Sequence, residues 1–335
     1  MRVSDLPAMS LLGGPIEDRS PLVTIGMPVF DGAAHLEEAV RSLLDQTEGD
    51  FVLLISDNCS TDETPEICAR LGAEDPRIRY VRQESNIGAV RNFEYVLQMA
   101  ETPYFMWVAH DDIRAPGFLA TSLKLLREAP DAVACSVGAR VIDENGSEID
   151  RILPPHALSS ARPLERARAV SKRGQMAIYG LLRREAVPAG VRIGYFRGSD
   201  IAFVFSMALQ RRIVTTDELL ITYRLMDIET KSRGPDARLY DAMRTPTAAY
   251  ASMMTEVGRS SLPVVTTTQL RLHLAARWLG AARHAASSRN MRKIHRARIS
   301  QRWWAVILRV PMQLVLGPGH LLAGLCRALL PATRP

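Results

Sequence analysis

Two adjacent carboxylates, Asp111 and Asp112, close an apolar run that begins at Tyr104 and give way to a turn at Pro116 and Gly117. Side-by-side acids repel each other and stay ionised together only where a cation or hydrogen-bond donors neutralise them. Oxygen ligands of this kind suit Mg2+ or Mn2+ holding a diphosphate. The same pair also suits the cap of a following helix, since aspartate accepts from the first N–H groups of a helix. Asp31 and Asp57 end two other apolar runs, 22–29 and 51–56. Asp200 follows Gly198-Ser199 and precedes the apolar stretch 201–209, where it is either a helix cap or a proton acceptor.

The elements that must carry these acids alternate. The run 22–29 is of strand type, and 33–45 has Leu36, Ala39, Val40, Leu43 and Leu44 at helical spacing. The run 51–56 is a second strand, and Ser60 or Thr61 can cap a helix beginning near Asp62. Residues 78–82 form a third strand, 90–100 a helix and 104–109 a fourth strand. Such β-α alternation with short connections predicts a parallel sheet flanked by helices and joined by right-handed crossovers. Ligands of open parallel sheets bind beyond the carboxyl ends of the strands. Asp31, Asp57 and Asp111 would therefore share one edge, which core packing does not require. The first turn, Pro28-Val29-Phe30-Asp31-Gly32, holds neither a Gly-x-Gly-x-x-Gly nor a Walker-type lysine loop, which argues against dinucleotide oxidoreductases and P-loop enzymes.

Composition is that of an ordinary globular chain, with 47% hydrophobic and 23% charged residues among 335. The net charge of +6 is unevenly placed. No acid follows Glu256, and the 13 Lys and Arg of 257–335 leave 29 bases against 36 acids in 1–256, a net of −7. That split predicts an anionic partner for the tail. Four cysteines without framework spacing indicate a reduced, cytosolic compartment. Residues 1–20 read as a loose tail without the apolar core of a secretory signal.

Taken in order, several segments make the chain resemble the family 2 glycosyltransferases, which have the GT-A fold. They are Pro28-Val29-Phe30-Asp31, Ser42-Leu43-Leu44-Asp45-Gln46-Thr47, the stretch 55–64 around Ser56-Asp57-Asn58, Asn86-Ile87-Gly88-Ala89-Val90-Arg91-Asn92 and Ala109-His110-Asp111-Asp112. The resemblance spans about 21–224. It implies a Rossmann-like, mostly parallel α/β sheet and a nucleotide-diphosphate-sugar donor. It implies that Asp57 hydrogen-bonds the nucleobase, that Pro28 and Phe30 pack the base, and that Asp31 belongs to the same donor-binding turn. Arg91 matches an arginine near the donor pocket. Asp111 and Asp112 match the acidic motif of the family, with Asp112 as ligand of Mg2+ or Mn2+. The chain departs from the commonest pattern at Ala109, where an acid is frequent, at Asn58, and at Ser199, where Glu is more usual.

The second half reads as a strand at 131–139, a strand or hairpin about Asn145-Gly146, and a Pro- and Arg-rich loop with a short helix over 151–173. A strand at 175–182, the helix after Asp200 and a strand ending Thr222-Tyr223-Arg224 follow. The resemblance implies that Asp200 is the catalytic base of an inverting transfer. The expected organisation is a tail over 1–20, a catalytic domain over 21–235 divided near 115 into donor and acceptor halves, and a helical basic region over 236–335. In that last region Arg289, Arg292, Lys293, Arg296, Arg298 and Arg302 precede Trp303-Trp304, a pattern of the lipid headgroup level. Those helices either lie on an anionic membrane surface or pack on the catalytic domain. The expected function is sugar transfer to a saccharide or glycolipid acceptor hydroxyl in bacterial surface polysaccharide or glycolipid synthesis, by a cytoplasmic protein peripheral to the membrane. Competing readings are a non-catalytic nucleotide-sugar binder and a nucleotidyltransferase on a related fold. Nucleic acid is an unlikely partner, because the tail carries no docking motif.

Overall fold

The computed structural model describes residues 21–187, 198–225 and 247–287. The chain divides into two units, Met1–Ala275 and Ala276–Pro335. Of the second, the described part, 276–287, is helical. The tail 1–20 and the basic segment 289–335 lie outside the described residues.

The first half of the sheet follows the sequence closely. It runs β1 (Val23–Val29), α1 (Ala33–Leu44), β2 (Phe51–Asp57), α2 (Thr64–Glu74), β3 (Ile78–Arg82), α3 (Ala89–Gln98) and β4 (Tyr104–Trp107). These strands pair in parallel in the order β3-β2-β1-β4. Every residue of β1 and β2 is buried, as strands covered on both faces must be. β4 stops at Trp107, two residues short of the expected end. α2 starts at Thr64 rather than near Asp62, with Asp62 Oδ1 accepting the Thr64 N–H at 3.0 Å.

The rest extends the sheet in mixed sense. After β5 (Ile113–Arg114), α4 (Phe118–Glu128), β6 (Ala132–Ile142), β7 (Glu148–Ile152), α5 (Pro163–Arg173), β8 (Leu181–Arg183) and α6 (Ser199–Gln210), the long strand β9 (Arg212–Arg224) completes it. The described strands form a nine-stranded sheet, β3-β2-β1-β4-β8-β6-β9-β5, with β7 paired to β6. Two expectations change here. The stretch 151–173 holds a full α-helix, α5, whose buried side is built of Arg166, Ala167, Ala169 and Val170 instead of large apolar residues, so the pattern is hard to see. The stretch 175–182 is mostly a 3-10 turn, Gly174–Tyr179, followed by a three-residue strand. An apolar run buried all round gives no periodicity to separate the two. Gly180 lies so close to β6 that a Cβ would fall 1.9 Å from the Cys135 carbonyl oxygen.

One apolar cluster joins α1, α2 and α4 to one face of the sheet; another joins α3, α5 and α6 to the opposite face. Two further helices, α7 (Thr247–Arg259) and α8 (Val264–Ser287), follow the sheet in the chain. Ala249, Met253 and Val257 of α7, with Leu270 and Leu274 of α8, belong to the α6-side core. Among the described residues no helix is long and apolar enough to cross a membrane, and Cys59, Cys68 and Cys135 are free thiols.

Candidate active site

The carboxyl ends of β1, β2 and β4 meet at one edge. β1 and β2 run in register to Val29 opposite Asp57, and Asn58 N donates to Val29 O at 2.8 Å. The N–H groups that lead into α1 receive no side-chain cap from their own loop. Instead Asp31 N donates to Ser60 Oγ at 2.9 Å, Gly32 N to Thr64 Oγ1 at 2.9 Å and Ala33 N to Asp62 Oδ2 at 3.0 Å. Asp31, held at φ +47°, returns the link by accepting the Thr61 N–H at 2.7 Å on Oδ1. The β1–α1 and β2–α2 turns are therefore laced into one unit. His110 closes it from the β4 side, for a Cβ on Gly32 would stand 2.6 Å from His110 Cδ2.

Asp57 is the knot of this unit. It is wholly buried; Oδ1 accepts Ser60 N–H at 2.8 Å, Oδ2 accepts Tyr80 O–H at 2.8 Å, and Arg82 Nε lies 3.7 Å away. The Asp57 carboxylate and burial push the Tyr80 phenol far above its ordinary value, burial being the larger cause. Asn58 continues the lacing to the third strand's exit, accepting from Ile87 N at 2.8 Å and donating to Asn86 Oδ1 at 2.9 Å. Of the other donor-side residues, Pro28 is buried in β1, Phe30 is half-buried, and Asp31 and Arg91 are exposed.

The acid pair divides its work. Asp111 is 8% exposed and its carbonyl oxygen accepts from Arg224 Nε at 3.3 Å. Asp112 is fully buried: Oδ1 accepts the Arg224 backbone N–H at 3.2 Å, and Oδ2 faces Arg114 Nη1 at 3.9 Å. Arg114 is itself wholly buried, its guanidinium 5.5 Å over the Phe118 ring, with no hydrogen-bond partner on any of its three nitrogens. Burial lowers its pKa, and the Asp112 carboxylate pulls it back up. Asp112, expected as the metal ligand, is fully buried with one oxygen toward the buried Arg114. Among the described residues no three His, Cys, Asp or Glu side chains gather as a metal cluster. The residues present still fit a hard divalent cation, because such ions are commonly held by one or two carboxylates and the substrate's own phosphates.

Asp200 lies in the first turn of α6, whose cap is Gly198 at φ +84° without any side-chain cap bond. It is therefore not the helix cap. Burial raises its pKa against the opposing pull of the Ile201 N–H and its own. The expected positive field of the helix N-terminus is outweighed by desolvation. Burial first, then the charges of Asp112, Asp200 and Asp111 among others, push the phenol of half-buried Tyr179 well above its ordinary value. Arg114, Tyr179 and Tyr80 carry no motif in the sequence; Arg224 was visible only as the end of a strand.

A doubly covered α/β sheet with this acidic carboxyl edge and a second half of mixed sense is a fold of the GT-A type. Residues 24–188 match the family described as Glycosyl transferase family 2. An uncharacterised glycosyltransferase of Rickettsia felis is 31% identical over 147 residues, covering 43% of this chain and 24% of that one. TuaG of Bacillus subtilis, a glycosyltransferase named for teichuronic acid biosynthesis, is 29% identical over 133 residues, covering 40% of this chain and 52% of that one. The chain thus spans only a quarter to a half of these relatives. Among solved structures, TarS residues 1–349 of S. aureus in complex with UDP-GlcNAc superposes with a TM-score of 0.60 at 16% identity, over 77% of this chain and 72% of that one. A Pyrobaculum calidifontis mannosyltransferase with GDP-Man and Mn2+ gives 0.50 at 17% identity, over 91% and 83%.

Proposed function

We propose that this protein is an inverting glycosyltransferase that moves a sugar from a nucleotide-diphosphate donor to an acceptor hydroxyl. The observation that carries the reading is the meeting of the strand-end acids Asp31, Asp57 and Asp111 at one sheet edge, where β1, β2 and β4 end side by side. The nucleoside lies on the laced turns, with Pro28 and Phe30 against the base. Asp57 acts from beneath, by fixing the turn that presents backbone groups to the base. Arg91 flanks the donor. Asp111, the more outward of the pair, would hold a Mg2+ or Mn2+ together with the donor's diphosphate, while Asp112 is engaged by Arg224 and Arg114. When bound, such a cation offsets negative charge on the leaving diphosphate.

Asp200 accepts the acceptor's proton as its oxygen attacks the anomeric carbon from the face opposite the leaving group. A carboxylate whose pKa is raised by burial is a better base than an exposed one. The glycosidic bond forms as the bond to the diphosphate breaks, so configuration inverts in one displacement. A nucleotidyltransferase fits less well, since the N–H groups of the first turn, which would have to cradle a triphosphate, are already held by Ser60, Thr64 and Asp62. The solved structure with UDP-GlcNAc and the relative named for teichuronic acid synthesis support a uridine donor and a saccharide or glycolipid acceptor of the cell surface. The basic segment 289–335, rich in Arg beside Trp303-Trp304, supports a peripheral position on anionic lipid.

The deciding experiment is thermal shift with UDP-GlcNAc and other nucleotide sugars, with and without Mn2+, followed by turnover with Asp200→Asn. Ligand-dependent stabilisation is expected by mass action, and it survives in the variant while transfer is lost. A protein that no nucleotide sugar stabilises is not a transferase of this kind. Intact binding without turnover by the unaltered chain would favour the binding-module reading.

A further inference from the structure

Helix α6 carries Asp200 in its first turn and is tied down beyond that turn. At its far end the buried guanidinium of Arg166 on α5 donates to the carbonyls of Ala208 at 2.6 Å and Leu209 at 3.2 Å. Such a cation satisfies carbonyls that a helix end leaves unpaired and suits the negative pole of the helix. Further in, Ser206 Oγ donates to Glu256 Oε2 of α7 at 3.3 Å. α7 reaches the near end as well. A Cβ on Gly198, the cap of α6, would stand 3.1 Å from the Cβ of Ala249 in the first turn of α7. Between these two contacts each helix advances about two turns, so α6 and α7 run side by side in the same direction.

The sequence of α7 explains how close it comes. Ala249, Met253 and Val257 recur at every fourth position, form one stripe and are buried in the α6-side core. Met253 and Val257 are bulky, while the residue facing Gly198 offers a single methyl. Gly198 itself is at φ +84°, a left-handed conformation in which a side chain is strained. The backbone of the cap therefore packs directly on Ala249, with no side chain of its own between them. Both helices lie beyond the residues 24–188 that match the family.

We infer that α7 is part of the active-site framework and that Ala249 is a positioning residue for Asp200. Its methyl sets where the Gly198 cap sits, and with it the turn that aims the Asp200 carboxylate. Interiors are close-packed, so added volume at this contact must move one helix against the other. Arg166 and Glu256 hold the rest of α6, and the turn bearing Asp200 is the part that gives. Misplacing a catalytic group by about 1 Å costs up to about 100-fold in rate. The inference rests on the transferase reading above, in which Asp200 is the base.

The test uses the full chain and three variants. Ala249→Leu keeps a good helix former and adds bulk against Gly198. Ala249→Ser stays close to the original size, and Met253→Ala opens a cavity one turn farther along the same stripe. Amide NMR of the isotope-labelled, unliganded chain is one readout. The other is release of UDP from UDP-GlcNAc with water as acceptor, with the thermal shift given by UDP-GlcNAc measured alongside. Ala249→Leu should move the amide signals of Gly198, Ser199 and Asp200 and lower kcat about 10–100-fold, with the UDP-GlcNAc thermal shift unchanged. Ala249→Ser should restore both. Met253→Ala should lower Tm while those amides and kcat stay as in the unaltered chain. The inference is overturned if Ala249→Leu leaves the three amides or kcat as they were. It is also overturned if Met253→Ala lowers kcat as far as Ala249→Leu does, since the stripe would then be structural only. Should Ala249→Leu fail to fold, Ala249→Gly, which removes the methyl, must move the same three amides; if it does not, the inference is lost. Movement of those amides in a chain that releases no UDP and is stabilised by no nucleotide sugar would uphold the place of Ala249 at the α6 turn and defeat the transferase reading.

Discussion

At the scale of single residues, the acids of the site do different jobs, set by their surroundings. Asp200→Asn keeps shape but removes the proton acceptor; transfer should fall by about 10²–10⁴. Donor binding by calorimetry should hardly change, and joint loss of both would make Asp200 structural. Its raised pKa also has a sign. A carboxyl whose folded pKa exceeds its unfolded one stabilises the fold most below the unfolded value, and that contribution is lost as pH rises through the folded value. Asp200→Asn should therefore be at least as stable as the parent at pH 7 in denaturant titrations. In the parent, the acid limb of the rate profile should lie above the ordinary carboxylate value of about 3.9. A limb at or below that value would remove Asp200 as the base.

The acid pair gives a contrast at the same scale. Asp112→Asn leaves the buried Arg114 without its counter-charge and should cost about 3 kcal/mol of stability. Asp111→Asn should leave stability nearly unchanged while weakening Mn2+-dependent stabilisation by UDP-GlcNAc. Equal stability of the two variants would mean that Arg114 does not depend on Asp112. Retained Mn2+ dependence in Asp111→Asn would return the metal contact to Asp112.

At the scale of elements, the two laced turns act as one. α1 has no side-chain cap bond of its own, and the N–H groups of the turn before it, at Asp31 and Gly32, and of its first residue, Ala33, are satisfied across the loop by Ser60, Thr64 and Asp62. Buried donors left unmade cost about 1–3 kcal/mol each, so Ser60→Ala should destabilise the chain and also weaken nucleotide binding. Tyr80→Phe, which removes the hydroxyl from Asp57, should do the same. Amide hydrogen exchange should then quicken at Asp31 and Gly32 together. Faster exchange at one turn alone would show that the turns are independent.

At the scale of the whole molecule, the asymmetry of charge matters most. Deleting 289–335 should release the protein from vesicles of anionic lipid, and binding of the full chain should weaken with salt, since each base near such a surface contributes about 1 kcal/mol. A full chain that never sediments with these vesicles would defeat the membrane reading. The preceding helices behave differently: α7 and the first part of α8 bury Met253, Val257 and Leu270 in the α6-side core.

What the sequence determined by itself is the donor half. Its strands are continuous apolar runs, its first and third helices are amphipathic, and short turns separate them, so local pattern and tertiary role agree from β1 to β4. Asp31, Asp57 and Asp111 were legible as strand-end acids for that reason. Tertiary structure alone decided how each is used. Asp57 is sealed by Tyr80 and Ser60, and Asp112 is turned toward Arg114 and Arg224, because partners 2 to 112 residues away in the chain bring donors to those oxygens. It also decided the balance at Asp200, where burial overrides a helix N-terminus that local sequence alone would credit. Long-range contacts such as these leave no periodicity and no spacing in the chain, and they exist only once the sheet has brought its strands side by side.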